Sequence, residues 1–262
     1  MSTPQLSDGP QAYNAGWHAA RLGGALDSPQ RVVPMLTELV NARSVLDLGC
    51  GPGTWLEEFI HEGVEDVFGV EGVWLDPAVL RVPREKVQIH DLTTPLSLGR
   101  QFDLAISLEV GEHLPDTAAS GLVKMLTEHA PVVAFSAAAP LQGGTHHVNE
   151  RWPGYWAELF AAHGFVSVDA LRPRMWLDDQ IAWYYRQNMF LAVREDALQR
   201  YPALCAEYER AGGSVLPLVH PERYLRVARS SPVRLKDSAV GTLYERWPGI
   251  RRWRDALRDR LS

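Results

Sequence analysis

A few short segments of this chain carry the side chains that could do chemistry. In Asp47-Leu48-Gly49-Cys50-Gly51-Pro52-Gly53, an acid stands two residues before a turn whose alternate positions are glycine. Glycine admits a sharp turn and lets a ligand approach the bare backbone. A helix starting just beyond it offers N–H groups that have no partner of their own. Glu71 and Asp91 add carboxylates further along, and such groups accept hydrogen bonds from hydroxyl and amino groups. Two further segments, Glu109-Val110-Gly111-Glu112-His113 and His146-His147-Val148-Asn149-Glu150, each combine histidine with glutamate. Histidine is the usual general base near neutral pH, and the same Glu and His types could instead ligate a divalent ion.

These residues need a scaffold, and the hydrophobic pattern supplies one. A helix is expected from about Pro29 to Asn41, with Val32, Val33, Met35, Leu36, Leu39 and Val40 inward. Ser44–Leu48 reads as a short buried strand running into the glycine cluster, and Thr54–His61 has helical spacing. Asp66–Glu71, Val87–His90 and Phe102–Leu108 read as three more strands, and Pro115–His129 as a helix. A fifth strand at Val132–Ala138 precedes a helix at Trp152–His163, with Trp152 and Trp156 on its core face and Tyr155 off it, more available to a substrate. Phe165–Leu171 and Asn188–Val193 complete a set of seven strands. Near-continuous apolar strands alternating with helices imply an α/β fold: a mostly parallel sheet covered on both faces. In such a sheet, ligands bind beyond the carboxyl ends of the strands where the strand order reverses. Asp47, Glu71, Asp91, Leu108 and Glu109 all fall at such ends.

The expected organisation is a polar N-terminal segment at 1–30, an α/β domain at 31–195 and a helical extension at 196–262. In the extension, Ile250, Trp253, Leu257 and Leu261 share a helical face, with Arg251, Arg252, Arg254, Arg258 and Arg260 elsewhere. The arginines read as a solvated helix, with a partner or homodimer contact as the alternative. A formal net charge of -6, without a basic block, disfavours nucleic acid as a partner. Two cysteines, no secretory pattern at the start and no long apolar run point to a cytoplasmic protein without a membrane span.

Two cofactors compete for the glycine loop. A nicotinamide cofactor, and hence an oxidoreductase, would want G-x-G-x-x-G, but Thr54 stands where the third glycine is needed. The pattern here is G-x-G-x-G behind an acid. Asp47 suits the cationic amino group of S-adenosylmethionine (SAM) and would repel a pyrophosphate. Glu71 is the expected acceptor for the ribose hydroxyls. Asp91 could accept from the adenine amino group while the Leu92 N–H reaches a ring nitrogen.

The series VLDLGCGPG, VEG, HDL and FDLAISLEVGEHLP resembles the motifs of class I SAM-dependent methyltransferases over about residues 40–195. The resemblance implies a Rossmann-like seven-stranded sheet with an antiparallel last strand and SAM converted to S-adenosylhomocysteine. It places Gly49, Gly51 and Gly72 in the cofactor site, and Leu108 and Glu109 beside the methionine part of SAM. It also makes the N-terminal segment, with Tyr13 and Trp17, a lid over the cofactor. More narrowly, GGTHHVNERWPGYWAELF and IAWYYRQNMFLAV resemble a bacterial subgroup of small-molecule methyltransferases that often accompany sugar or natural-product biosynthesis. A small-molecule O- or N-acceptor is therefore expected. His147 is preferred over His146 as base because it matches that subgroup's usual histidine, and His113 is the other candidate.

An alternative gives Glu109, Glu112, His113 and His147 to a divalent ion, as in 2′-O-methyltransferases acting on small-RNA ends; the preferred reading has no metal. A SAM-binding protein without catalysis is the remaining reading. Trp183, Tyr184 and Tyr185 could wall the acceptor pocket or pack in the core. Cys50 reads as a small filler, since nearby Asp47 disfavours a thiolate.

Overall fold

The computed structural model describes residues 27–230. Its first compact unit ends at Leu218, and a second begins at Val219. The readings placed on Tyr13, Trp17 and the arginine-rich 250–261 stretch lie outside the described residues.

The elements of the first unit follow the expected alternation. They are α1 (Asp27–Val40), β1 (Ser44–Leu48), α2 (Thr54–His61), β2 (Asp66–Glu71), β3 (Val87–Ile89), β4 (Leu104–Leu108), α3 (Asp116–His129), β5 (Val132–Ser136), α4 (Pro153–Ala161) and β6 (Phe165–Val168). Two short helices come next, α5 (Arg172–Met175) and α6 (Trp183–Asn188), then β7 (Phe190–Arg194) and α7 (Pro202–Ala211). The second unit contributes α8 (Pro221–Ser230).

The sheet has seven strands in the order β3-β2-β1-β4-β5-β7-β6. The first five are parallel, and β7 runs antiparallel to both β5 and β6. β1 pairs with β2 on one side and β4 on the other, so the direction of winding reverses there. The carboxyl ends of β1 and β4 therefore open the crevice that binds ligands in sheets of this class.

Alternate side chains of each strand point to opposite faces, and the protein has a core on each. Val45, Val67, Leu104, Ile106 and Val132 pack with Val32, Val33 and Leu36 of α1 and Leu56 and Phe59 of α2. Leu46, Leu48, Val70, Ala105 and Phe135 pack with Leu122 and Leu126 of α3 and Trp156 and Phe160 of α4. Burial on both faces is why these strands read as unbroken apolar runs.

Residues 169–188 depart from the expectation. The sixth strand stops at Val168, and Asn188 closes α6 instead of opening the last strand. The cause is Arg172, fully buried and bridged to Asp169 through two contacts of 2.9 and 2.6 Å, with Nη1 also donating to the Leu216 carbonyl. A buried guanidinium needs such partners, and a chain that gathers them just beyond Val168 cannot continue as a regular strand through Leu171. Trp152 also departs from its expected core position. It precedes Pro153, the first residue of α4, and is 41% exposed, while Trp156 is buried against Phe135 at 4.9 Å between ring centroids. A residue at a helix N-cap has left the helical phase that would have aimed it inward. Among the described residues no helix is long and apolar enough to cross a membrane.

Phe135 is wholly buried, with the rings of Trp156, Phe160 and Phe190 around it. Phe135→Ala is expected to lower the unfolding free energy by about 3–5 kcal/mol, measured as a shift in the denaturant midpoint at unchanged slope.

Candidate active site

The glycine turn leaves β1 with Gly49, Gly51 and Gly53 all in the left-handed region, at φ of 88°, 52° and 85°. Gly49 and Cys50 both donate their N–H to the Val70 carbonyl, at 2.8 and 3.2 Å, which folds the turn over the end of β2. Two glycines matter for different reasons. A Cβ at Gly49 would lie 2.3 Å from Val110 Cγ2, so the loop after β4 occupies the space a side chain would need. A Cβ at Gly51 would meet nothing within 4 Å among the described residues.

Glu71 stands beside Gly51. Its Oε2 accepts from the Gly51 N–H at 2.6 Å, and its Oε1 accepts from the Gly72 N–H at 2.8 Å and from the Trp74 indole N–H at 2.9 Å. Trp74 was not singled out by sequence reasoning. Its only signal was an aromatic residue three positions beyond an acid at a strand end. Its ring lies flat against Gly72, where a Cβ would be 2.2 Å away.

Asp47 is almost completely buried. Loss of solvent raises its pKa well above the ordinary carboxylate range, and the neighbouring charge of Glu71 raises it further. Burial also raises Glu71, opposed by the hydrogen bonds from Gly72, Gly51 and Trp74. The Cys50 thiol is pushed up by burial first and then by Asp47 and Glu71, which agrees with a filler and not a nucleophile. Asp91 differs. It is exposed, its Oδ1 accepts from the Thr93 N–H and hydroxyl, and those bonds hold its pKa below the usual value. Leu92 beside it is buried, and the His90 N–H donates to the Glu71 carbonyl, tying the end of β3 to the end of β2.

The second half of the site comes from the loops after β4 and β5. Leu108 and Glu109 are buried, and Glu109 is held at φ 56°, a strained value for a side chain of its size. Its carboxylate accepts from the amides of Gln142 at 2.7 Å and Asn188 at 3.2 Å, and Asn188 also donates to Gln142. Glu112 follows in a 3-10 turn, Gly111–His113, fully buried. Its backbone carbonyl accepts from the Val148 and Asn149 N–H groups, at 2.8 and 3.1 Å. That pair of bonds brings the two histidine-bearing loops together.

His113 and His147 consequently meet edge to face, 4.8 Å between centroids. His147 Nδ1 lies 2.9 Å from Glu150 Oε1, and its Nε2 lies 4.0 Å from Glu112 Oε1. His146 is exposed, at φ 57°. Glu112, His113 and His147 each offer one ligand atom, all within 4.8 Å of one another. Glu109, the fourth candidate, is not in that group.

Tyr155 is partly exposed; its hydroxyl donates to Asp116 at 2.8 Å, and the Arg151 guanidinium covers its ring. Trp183 and Tyr185 are buried, with Tyr185 in the core edge-on to Trp55 at 5.2 Å.

A family described as "Methyltransferase domain" matches residues 20–177, more than half of the chain. The chain belongs to this methyltransferase family. Among solved structures, the methyltransferase is similar in fold to the sugar N-methyltransferase KedS8 from a Streptoalloteichus species, at 19% identity and a TM-score of 0.56, covering 74% of this chain and 98% of that one. DesVI of Streptomyces venezuelae shares 17% identity at a TM-score of 0.51, over 68% of this chain and 94% of that one. No curated protein matches the sequence. The cofactor of the methyltransferase is SAM, and the residues at the crevice fit it.

Because the folded protein holds Asp47 and Glu71 above their unfolded pKa values, it binds more protons than the unfolded chain over that interval. The contribution of these two groups to the stability of the ligand-free protein is then fully present below the ordinary carboxylate range of about 4 and is lost as pH rises through the raised values. Asp47→Asn is expected to flatten that decline and to stabilise the ligand-free protein near neutral pH. Denaturant midpoints across pH check this; a variant less stable than the parent at neutral pH would contradict it.

Proposed function

We propose that this methyltransferase methylates an oxygen or nitrogen of a small molecule, of the sugar or secondary-metabolite class, with His147 as general base. The observation that carries the reading is the convergence of His113 and His147 from separate loops onto buried Glu112, at the carboxyl end of β4. KedS8, which shares the fold, is described as a sugar N-methyltransferase, in line with this acceptor class.

When bound, SAM supplies an electrophilic methyl group on a sulfonium and leaves as S-adenosylhomocysteine. The protein's work is to align the acceptor and take up its proton. In this reading Asp47 faces the cationic amino group and Glu71 the ribose, with Gly49, Gly51 and Gly72 giving the backbone its close approach. Asp91 and Leu92 face the adenine, and Leu108 and Glu109 the methionine portion. His147 accepts the acceptor's proton at Nε2, and His113 orients the acceptor. The 1–30 segment, with Tyr13 and Trp17, covers the cofactor, and residues 31–195 form the catalytic domain with 196–262 as an extension. The free thiols of Cys50 and Cys205 suit a cytoplasmic setting.

A second reading rests on the same cluster. Glu112, His113 and His147 could hold a divalent ion, which would lower the pKa of a bound hydroxyl. Against it, the Glu109 carboxylate is committed to the Gln142 and Asn188 amides.

A panel of aminosugars, hydroxylated sugars and small metabolites, offered with labelled SAM, is expected to yield a product heavier by one CH2 together with S-adenosylhomocysteine. With that acceptor, His147→Ala is expected to lower kcat roughly 10²- to 10⁴-fold while SAM binding, measured by calorimetry, stays unchanged. Exhaustive chelation is expected to leave turnover intact. Activity lost to chelator and restored by one divalent ion would establish the metal reading instead.

A further inference from the structure

Glu150 was not among the residues that sequence reasoning put in the site, yet it is anchored on more sides than the histidine it touches. Its Oε2 accepts from the Leu141 N–H at 2.7 Å. Its Oε1 accepts from the Gly143 N–H at 2.7 Å and lies 2.9 Å from His147 Nδ1. A carboxylate on these donors is an acceptor only, so the proton between it and the imidazole sits on Nδ1. That leaves Nε2 as the unprotonated nitrogen of neutral His147. The ring's position is narrow as well. A Cβ on Gly144 would lie 2.1 Å from Nε2, and His113 packs edge-on to the ring.

The loop bearing these anchors is itself tied down. Gln142, between Leu141 and Gly143, donates to Glu109, and the Arg151 N–H next to Glu150 donates to the Ala138 carbonyl. We infer that Glu150 is the positioning residue that fixes the tautomer and aim of His147, so that Nε2 is the atom that takes the acceptor's proton. The inference rests on the reading of His147 as base. In the step it serves, the acceptor's lone pair forms the bond to the methyl carbon, the S–CH3 electrons stay on sulfur, and the acceptor's proton moves to Nε2. The resulting imidazolium keeps its Nδ1–H on Glu150, with the Glu112 carboxylate on its other side.

Glu150→Gln keeps the size of the side chain but puts an NH2 where one of the donors must be received. It is expected to lower kcat roughly 10²- to 10⁴-fold with little change in the KM for SAM. A loop staple could also slow the enzyme, so the substitution is repeated in a His147→Gln background. A positioning role predicts almost no additional loss there, because two residues acting as one unit are not additive. A staple predicts the same loss in both backgrounds. A second measurement does not depend on turnover: ¹⁵N shifts of the wild-type imidazole are expected to show Nδ1 protonated and Nε2 bare, with that preference lost in Glu150→Gln. An Nε2–H tautomer in the wild type, or equal losses in the two backgrounds, overturns the role of Glu150 while the base reading stands. Full turnover in His147→Gln overturns the base reading itself.

Discussion

Asp47 and Glu71 stand in adjacent strands, paired in register two residues apart, and both are withheld from water. An ionised carboxylate moved out of water loses more solvation than almost any other group in a protein, and two of them in one place add mutual repulsion. Apolar residues would fit these strands at lower cost, as the neighbouring positions demonstrate. The protein offsets part of the cost by giving Glu71 three N–H donors, two of them from the backbone turn. Asp47, by contrast, remains raised by desolvation and by its neighbour. A ligand that brought a positive charge beside these acids would offset that cost. The turn follows from the same constraint, since the Gly51 N–H reaches Glu71 only from a left-handed backbone.

The turn does not stand alone. The missing side chain of Gly49 is replaced by Val110, which belongs to the loop after β4. Two residues beyond Val110, the Glu112 carbonyl takes the backbone of the loop after β5. A chain of direct contacts therefore runs from the acids of β1 and β2, through Val110, to His113 and His147. The two halves of the site are built on different strands but share one boundary, the point where β1 separates the two directions of winding. Changing the bulk of residue 110 would disturb the cofactor turn and the histidine loop together.

The strand order, the glycine turn and the acids at the strand ends were legible because each leaves a periodic or compositional trace. A strand buried on both faces has to be apolar throughout, and a turn with three left-handed residues has to be glycine-rich. The family's motif series added the antiparallel seventh strand. What was not legible depends on partners far away in sequence. Arg172 reads as a surface residue until Asp169 and the Leu216 carbonyl close on it. Trp152 and Trp156 satisfy the same helical spacing, yet Pro153 starts the helix between them and leaves only Trp156 inside. Trp74 escaped notice, and the part Glu150 plays within its own histidine segment did not show, because no spacing rule announces a hydrogen bond to a particular side chain. Glu109 was placed correctly at the end of β4, but its amide partners, Gln142 and Asn188, are distant along the chain, so its withdrawal from a four-ligand set could not be foreseen.

The loop that holds His147 reverses the usual arrangement of polar and apolar side chains. Leu141 and Val148 are largely exposed, as is much of Trp152, while Asn149 is buried and the His147 side chain nearly so. A loop stabilised by its own burial would turn its apolar residues inward. This one is held by backbone hydrogen bonds to Glu112, Ala138 and Glu150 instead, which frees its side chains from any duty in the core. The polar side chains of this loop are thereby withdrawn from solvent near the end of β4 while its apolar ones are exposed. The loops, fixed through backbone contacts that are indifferent to side-chain identity, are where a different acceptor can be accommodated without altering the sheet.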